Sequence, residues 1–320
     1  MIPSPYLLYL GHSSDPLSVK TSRGVAAFRG QDCVGEFRHD DCPLTLGLPR
    51  MAMAEAASAG ARTLILGIAG AGGKVGADLI EDAAAALEAG LNVASGLHER
   101  LRDQPRLAEL AAARGLELFD VRDPPAGLSV GKGYPRPGRR LLTVGTDCSV
   151  GKMYATLALT EALRQRGVAA DFISGAIEQL APGRDDDGWD LIEGQGSLFH
   201  PSFAGVSLGL LHGAQAEALV LCHEPGRAHM RGIPGRPVPE LADCLERNLE
   251  AARLTSPDVR AAGICLNTSA MDAETAQRLC SVIEVQMGLP CTDPVRFGVE
   301  SIIDQILCPA PSTLSTNVSR

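Results

Sequence analysis

The chain has 320 residues, 45% of them hydrophobic and 21% charged, with a formal net charge of −9 at neutral pH. That length leaves room for two domains, each with a sizeable core. An acidic chain without a Lys/Arg cluster is a poor partner for nucleic acid or an anionic membrane, so its anion binding must be local. No stretch of about 18 uncharged apolar residues occurs, and Met1-Ile-Pro-Ser-Pro5 lacks a basic region ahead of an apolar one; a cytoplasmic protein is expected. The 35 glycines and few aromatics suit an α/β fold with many tight strand-to-helix turns. Nine cysteines, an odd number without C-x-x-C spacing, argue against a disulfide framework and a structural zinc site.

The first half repeats an α/β rhythm. Ala52–Ala61 is an alanine-rich helix, Thr63–Ala69 a buried strand and Gly70–Gly76 a glycine turn; a helix follows over Ala77–Ala89. Asn92–Ser95 reads as a short strand, Pro105–Arg114 as a helix and Leu116–Val121 as a third strand, ending at Asp123-Pro-Pro125. Strands alternating with helices imply a parallel sheet. The Gly70–Gly76 turn satisfies G-x-G-x-x-G only nominally, since no acidic residue closes a strand about 20 residues on; it reads as a structural turn at the carboxyl edge of the first sheet, with a ligand loop as the less favoured alternative. Gly/Pro-rich Val130–Arg140 has the character of a linker, which places an N-terminal domain over residues 1–135 and a second domain over 136–320.

The second domain opens with the most informative stretch, Leu142-Thr-Val-Gly-Thr-Asp-Cys-Ser-Val-Gly-Lys-Met153. An apolar strand feeding a loop of small residues and then a helix points several backbone N–H groups and a helix N-terminus at one spot, where a diphosphate can sit. Lys152 adds a point charge. In the usual G-x-x-x-x-G-K-[ST] loop the last residue holds Mg²⁺ through its hydroxyl; here Gly145 lies six residues before Gly151, and Met153 takes the hydroxyl's place. The pattern therefore favours phosphate binding over nucleotide hydrolysis. Cys148, beside Lys152 and a helix N-terminus, is a thiol whose pKa such surroundings lower.

A helix over Lys152–Gln165 ends at Gly167, a C-cap. Only Val168-Ala-Ala170 then precedes another helical run, Asp171–Leu180, although a parallel sheet needs a returning strand of about five residues, on the order of 17 Å. The expectation is a missing strand and a break in the chain between Gly167 and Ser174. Strands follow at Trp189–Glu193, Ala218–His223 and Ala262–Asn267, with helices at Pro239–Arg253 and Ala273–Met287.

Gly145–Lys152, Trp189-Asp-Leu-Ile-Glu-Gly-Gln-Gly-Ser197 and the strand ending in Asn267 resemble, in kind and in order, dethiobiotin synthetase and its P-loop relatives. A closer likeness covers nearly the whole chain. Ile192-Glu-Gly-Gln-Gly-Ser-Leu-Phe-His-Pro-Ser-Phe-Ala-Gly-Val-Ser207 with Leu221-Cys-His-Glu-Pro-Gly-Arg227 resembles the D-glutamate N-acetyltransferase family, formerly a domain of unknown function. That resemblance implies an N-terminal Rossmann-like parallel-sheet domain followed by a P-loop NTPase-like one. It also implies an acyl-CoA-dependent transferase of D-amino-acid catabolism, acetyl-CoA as co-substrate and a small-molecule acceptor; a homo-oligomer is expected. The family's Gly/Thr-rich strand-and-loop segment between the phosphate-loop helix and Asp171 is absent here.

If the ligand is coenzyme A, the loop's task is to hold a diphosphate without cleaving it, and no metal is required. Cofactor contacts are then expected from Gly145, Thr146, Asp147, Cys148, Ser149, Val150, Gly151, Lys152 and Met153, with Asn267 either on the adenine or capping the helix after it. Acetyl transfer needs a base for the amine and fixed donors for the oxyanion. Glu193, ending a strand beside the loop, is the first candidate base, read alternatively as a partner for Lys152 or a residual Mg²⁺ ligand. His223 is the second candidate, and Ser197 a hydroxyl donor. His200, Glu224 and Arg227 complete a substrate subsite, the guanidinium suiting an acidic amino acid's carboxylates, with Arg231 close behind. His212, Cys222, His223 and His229 lack metal-ligand spacing. Two alternatives remain open: an ATP-dependent ligase or kinase of the dethiobiotin synthetase type, and a non-catalytic nucleotide-binding regulatory module.

Overall fold

The computed structural model describes residues 2–68, 76–123, 134–173 and 181–307. The chain divides into two compact units, Met1–Ala126 and Gly127–Arg320. In the first, strands β1 (Tyr6–Gly11), β2 (Cys33–Arg38), β3 (Thr63–Leu66), β4 (Asn92–Ser95) and β5 (Leu118–Asp120) form a parallel sheet in the order β2-β1-β3-β4-β5. Helices α1 (Lys20–Arg29), α2 (Met53–Ser58), α3 (Ala77–Glu88) and α4 (Pro105–Arg114) alternate with them. β1 is a nearly continuous buried run, Leu7, Leu8, Tyr9 and Leu10, as a central parallel strand covered on both faces requires. Pro105 opens α4 and Gly115, at φ 65°, closes it. No element is expected over residues 2–50 from the sequence pattern, yet Tyr6-Leu-Leu-Tyr-Leu10 is the apolar run that forms the sheet's second strand in space. Residues 69–75 of the glycine turn lie outside the described residues.

The second unit is a six-stranded parallel sheet: β6 (Arg139–Gly145), β7 (Ala170–Ile173), β8 (Trp189–Ile192), β9 (Ala218–His223), β10 (Arg260–Leu266) and β11 (Cys291–Thr292), in the order β11-β10-β9-β6-β8-β7. Its helices are α5 (Lys152–Gln165), α6 (Ala204–Ala214), α7 (Leu241–Arg253), α8 (Ala273–Met287) and α9 (Glu300–Leu307). Alternate strand residues serve the two faces: Leu142, Val144, Leu219, Leu221, Ile264 and Leu266 in one core, Leu141, Val220, Cys222 and Cys265 in the other. β6 lies between β8 and β9, where the strand order reverses, so the carboxyl ends of these strands define the crevice in which open α/β sheets bind ligands. Among the described residues no helix is long and apolar enough to cross a membrane, and the eight described cysteines are free thiols.

The expected missing strand is present. Asp171-Phe-Ile173 belongs to a strand, β7, paired along its length with Trp189–Ile192, and not to a helix. No break interrupts the approach to it: Gly167 and Val168 donate to the carbonyls of Arg164 and Leu163, and Trp189 N–H donates to Ala169 O. Gly167, at φ 74°, turns the chain directly from helix into strand. A four-residue edge strand suffices to return the chain here, and the apolar run Phe172-Ile173 fits a helical or a strand period equally well. The remainder of the expected helix, 174–180, lies outside the described residues.

Candidate active site

The phosphate loop joins the carboxyl end of β6 to α5. Two residues give its shape: Gly151 at φ 97° serves as N-cap of α5, and Ser149 adopts φ 54°, a left-handed conformation uncommon for a residue with a side chain. Gly151 packs against Asn267, whose Cβ would lie 3.5 Å from a Cβ placed on the glycine. Among the described residues, the N–H groups of Ser149, Val150, Gly151, Lys152 and Met153 have no hydrogen-bond acceptor. Successive unpaired N–H groups at the start of a fourteen-residue helix form an anion cradle. The Lys152 ammonium is buried and donates to Asp147 O and Gly196 O, each at 2.9 Å, leaving one N–H for a ligand oxygen. Burial lowers its pKa, with Cys222, Cys148, Glu193 and Asp147 acting in the opposite direction.

Glu193 follows β8 directly and is half-buried beside this loop. The chain turns there because Gly194 presses against β6: its N–H donates to Thr143 Oγ1 at 3.0 Å, and a Cβ on it would lie 1.8 Å from Thr143 O. Thr143 Oγ1 is also 3.0 Å from Thr156 Oγ1 of α5, so strand, helix and Glu193 turn share one buried hydroxyl pair. Beyond it, the N–H groups of Gln195, Gly196 and Ser197 have no acceptor among the described residues. The Ser197 hydroxyl is occupied: it donates to Thr146 O at 3.1 Å and accepts from Phe199 N–H at 3.2 Å. It therefore ties two loops together, and its expected place as a catalytic hydroxyl is not available in this arrangement.

The three residues expected to hold substrate are engaged within the protein, and one of them, Arg227, braces the loop. Arg227 donates through Nη1 to the fully buried Asp147 carboxylate at 2.7 Å and to Cys148 O at 2.6 Å, and through Nη2 to Ser149 O at 3.3 Å and to Glu224. Its fork is filled, and so is Glu224's role as its partner. Asp147 also accepts from its neighbour Cys148 N–H at 2.7 Å and from Arg231 N–H at 2.8 Å. His200 is buried with both ring nitrogens engaged: Nδ1 faces Ser202 N–H at 3.2 Å and Nε2 faces Arg231 O at 3.0 Å. Because Nδ1 accepts, Nε2 carries the proton. Asp147, Cys148 and His200 bring one possible metal ligand each within 4.8 Å of one another, but these hydrogen bonds already use the carboxylate and the imidazole.

His223, at the end of β9, sits 3.0 Å through Nδ1 from Thr146 Oγ1. Burial, and then the Arg227 charge, lower its pKa to about 4, so it is neutral at physiological pH. Asn267 N–H donates to His223 O at 2.8 Å, and its Oδ1 accepts from Ser269 N–H at 3.3 Å, closing a turn around Thr268. The structure thus gathers Glu193, His223, Asn267 and the loop at one sheet edge. Arg231 is the contributor whose importance the sequence left undecided; nothing in a linear reading separates it from Arg227.

Comparison with known families matches residues 32–124 to the DUF1611_N Rossmann-like domain and residues 129–171 and 167–303 to the DUF1611_C P-loop domain. The chain is 44% identical to a D-glutamate N-acetyltransferase from Pseudoalteromonas over 326 positions, covering 94% of this chain and 98% of the relative. It is 43% identical to a D-glutamate N-acetyltransferase from Tritonibacter scottomollicae, covering 96% and 99%. A crystal structure of a DUF1611 family protein from Anabaena variabilis matches with a TM-score of 0.84 at 29% identity, covering 95% of this chain and 99% of that one. The 326-position alignment is longer than the 320-residue chain, so that relative carries residues without a counterpart here. The P-loop domain matches in two pieces that meet at 167–171, the turn into β7.

Proposed function

The chain belongs to the DUF1611 family, and we propose that it moves an acetyl group from acetyl-CoA to the amine of D-glutamate or a similar acidic D-amino acid. The observation that carries this reading on the chain itself is the run of unpaired N–H groups from Ser149 to Met153 around Lys152. It suits the diphosphate of coenzyme A. Met153 supplies no hydroxyl for Mg²⁺, in keeping with a loop that binds a diphosphate without activating it, and the reading requires no metal.

Glu193 takes a proton from the substrate ammonium, freeing the nitrogen lone pair. The amine nitrogen attacks the thioester carbon, the N–H groups of Gln195, Gly196 and Ser197 being the nearest candidates to stabilise the oxyanion. The attack forms the C–N bond and the nitrogen gives up its second proton; collapse of the tetrahedral intermediate then breaks the C–S bond, and of the two protons released the leaving thiolate takes one while the other passes to solvent. His223, with its pKa held down, is the poorer base and instead orients Thr146. The purified protein should convert ¹³C-acetyl-CoA and D-glutamate into labelled N-acetyl-D-glutamate with one thiol released per product, and act more slowly on L-glutamate. Product formation that requires Mg²⁺-ATP would instead support the ligase reading, and absence of any product would overturn the proposal.

A further inference from the structure

Two arginines, four residues apart, meet the same loop in opposite ways. The Arg227 guanidinium is filled by Asp147, Cys148 O, Ser149 O and Glu224. Arg231 is held by its backbone. Its N–H donates to the buried Asp147 carboxylate at 2.8 Å, and its carbonyl accepts from His200 Nε2 at 3.0 Å. Both anchors are themselves fixed, Asp147 by Arg227 and Cys148 N–H, His200 by Ser202 N–H. Asp147 and His200 thus clamp the two ends of one residue. The side chain that the clamp presents is exposed, and its Nη1 donates to Ser149 Oγ at 2.6 Å. Ser149 is the first residue of the unpaired N–H run, and its left-handed backbone forms the lip of the cradle.

We propose that Arg231 is a ligand-binding arm of the phosphate cradle, delivering its guanidinium to a phosphate oxygen of a diphosphate-bearing ligand, with His200 and Asp147 as positioning residues that hold its peptide. The inference rests on the acetyl-CoA reading only for the ligand's name; the chemistry it requires is a diphosphate. A planar guanidinium offers five N–H donors, and the single neutral acceptor on Ser149 engages one of them, so a phosphate arriving at the cradle offers Arg231 charge-assisted and bidentate bonds in place of a neutral one. Arg227 cannot make this exchange without uncovering Asp147.

Inorganic pyrophosphate, titrated calorimetrically into the intact protein, provides a readout independent of turnover. Arg231→Ala should weaken pyrophosphate about tenfold or more, the loss of a charge-assisted bond. Arg231→Lys should recover part of that loss. The melting temperature should hold, because both backbone anchors remain. In steady-state assays KM for acetyl-CoA should rise while KM for D-glutamate stays. His200→Gln should weaken pyrophosphate in the native background and add nothing on top of Arg231→Ala, which a merely structural role would not produce. Pyrophosphate binding unchanged by Arg231→Ala, or absent from the native protein, overturns the inference. So does a rise confined to the D-glutamate KM, which would make Arg231 a carboxylate contact. Arg231-dependent pyrophosphate binding in a protein that fails to acetylate D-glutamate would leave the arm standing and remove the acetyltransferase reading.

Discussion

Arg227→Ala should destabilise the second unit severely. The Asp147 carboxylate is completely buried, and Arg227, 13% exposed, supplies its only cationic partner among the described residues. Breaking a buried ion pair from one side costs about 3–5 kcal/mol, because the remaining charge is left without its counter-ion. Two N–H donors, from Cys148 and Arg231, stay with Asp147 and place the effect near the lower end of that range, about 3 kcal/mol. For a unit of this size that corresponds to a fall of about 6–12 °C in the melting temperature. Scanning calorimetry of the native protein, Arg227→Ala and Asp147→Asn/Arg227→Met measures it. The double variant, which removes both charges, should recover a substantial part of the loss. If Arg227→Ala melts within 2 °C of the native protein, the pair does not brace the loop and the division of labour between Arg227 and Arg231 is wrong.

Gly194→Ala places a Cβ 1.8 Å from Thr143 O, a backbone atom that cannot yield, so the variant should lose folded second unit by circular dichroism; a native melting profile would refute the packing described. Glu193→Gln should lower the acetylation rate about 10²–10⁴-fold while acetyl-CoA affinity stays near native; survival within a few-fold would move the base elsewhere. His223, with its folded pKa at about 4 and an unfolded value near 6.5, contributes stability that is full above pH 6.5 and lost as pH falls towards 4, since the unfolded chain binds the proton first. Urea unfolding at pH 5 and pH 7 should differ by about 1–2 kcal/mol more in the native protein than in His223→Gln. Equal pH dependence in the two would show that His223 is not held neutral.

The phosphate loop was legible because its chemistry is local: a strand, small residues, Gly151-Lys152 and a helix are consecutive in the chain, and the open N–H groups follow from that arrangement. The position of Glu193 at a strand end was legible for the same reason, its strand and the glycine after it being adjacent. What was not legible depends on partners distant in sequence. Arg227 and Arg231 read alike until Asp147, 80 residues before Arg227, is seen to fill one side chain and grip only the backbone of the other. His200 reads as a substrate contact and Ser197 as a catalytic hydroxyl until their hydrogen bonds to Arg231 and Thr146 are seen. The error at Asp171 has a different origin: a four-residue edge strand carries too few periods to outweigh a helical reading, and only its pairing with β8 decides. α6 escaped notice because Gly205, Gly209 and Gly213 dilute a helix signal in a run that is apolar on nearly every side.

In the proposed function, Lys152 and the N–H groups around it bind the diphosphate of the acetyl donor. Calorimetric titration of acetyl-CoA into the native protein and Lys152→Ala tests it most directly. The native protein should bind acetyl-CoA without hydrolysing ATP, and Lys152→Ala should bind it about 10–150-fold more weakly, the range of one charge-assisted hydrogen bond. Equal affinity of the two proteins for acetyl-CoA would contradict the assignment of the loop.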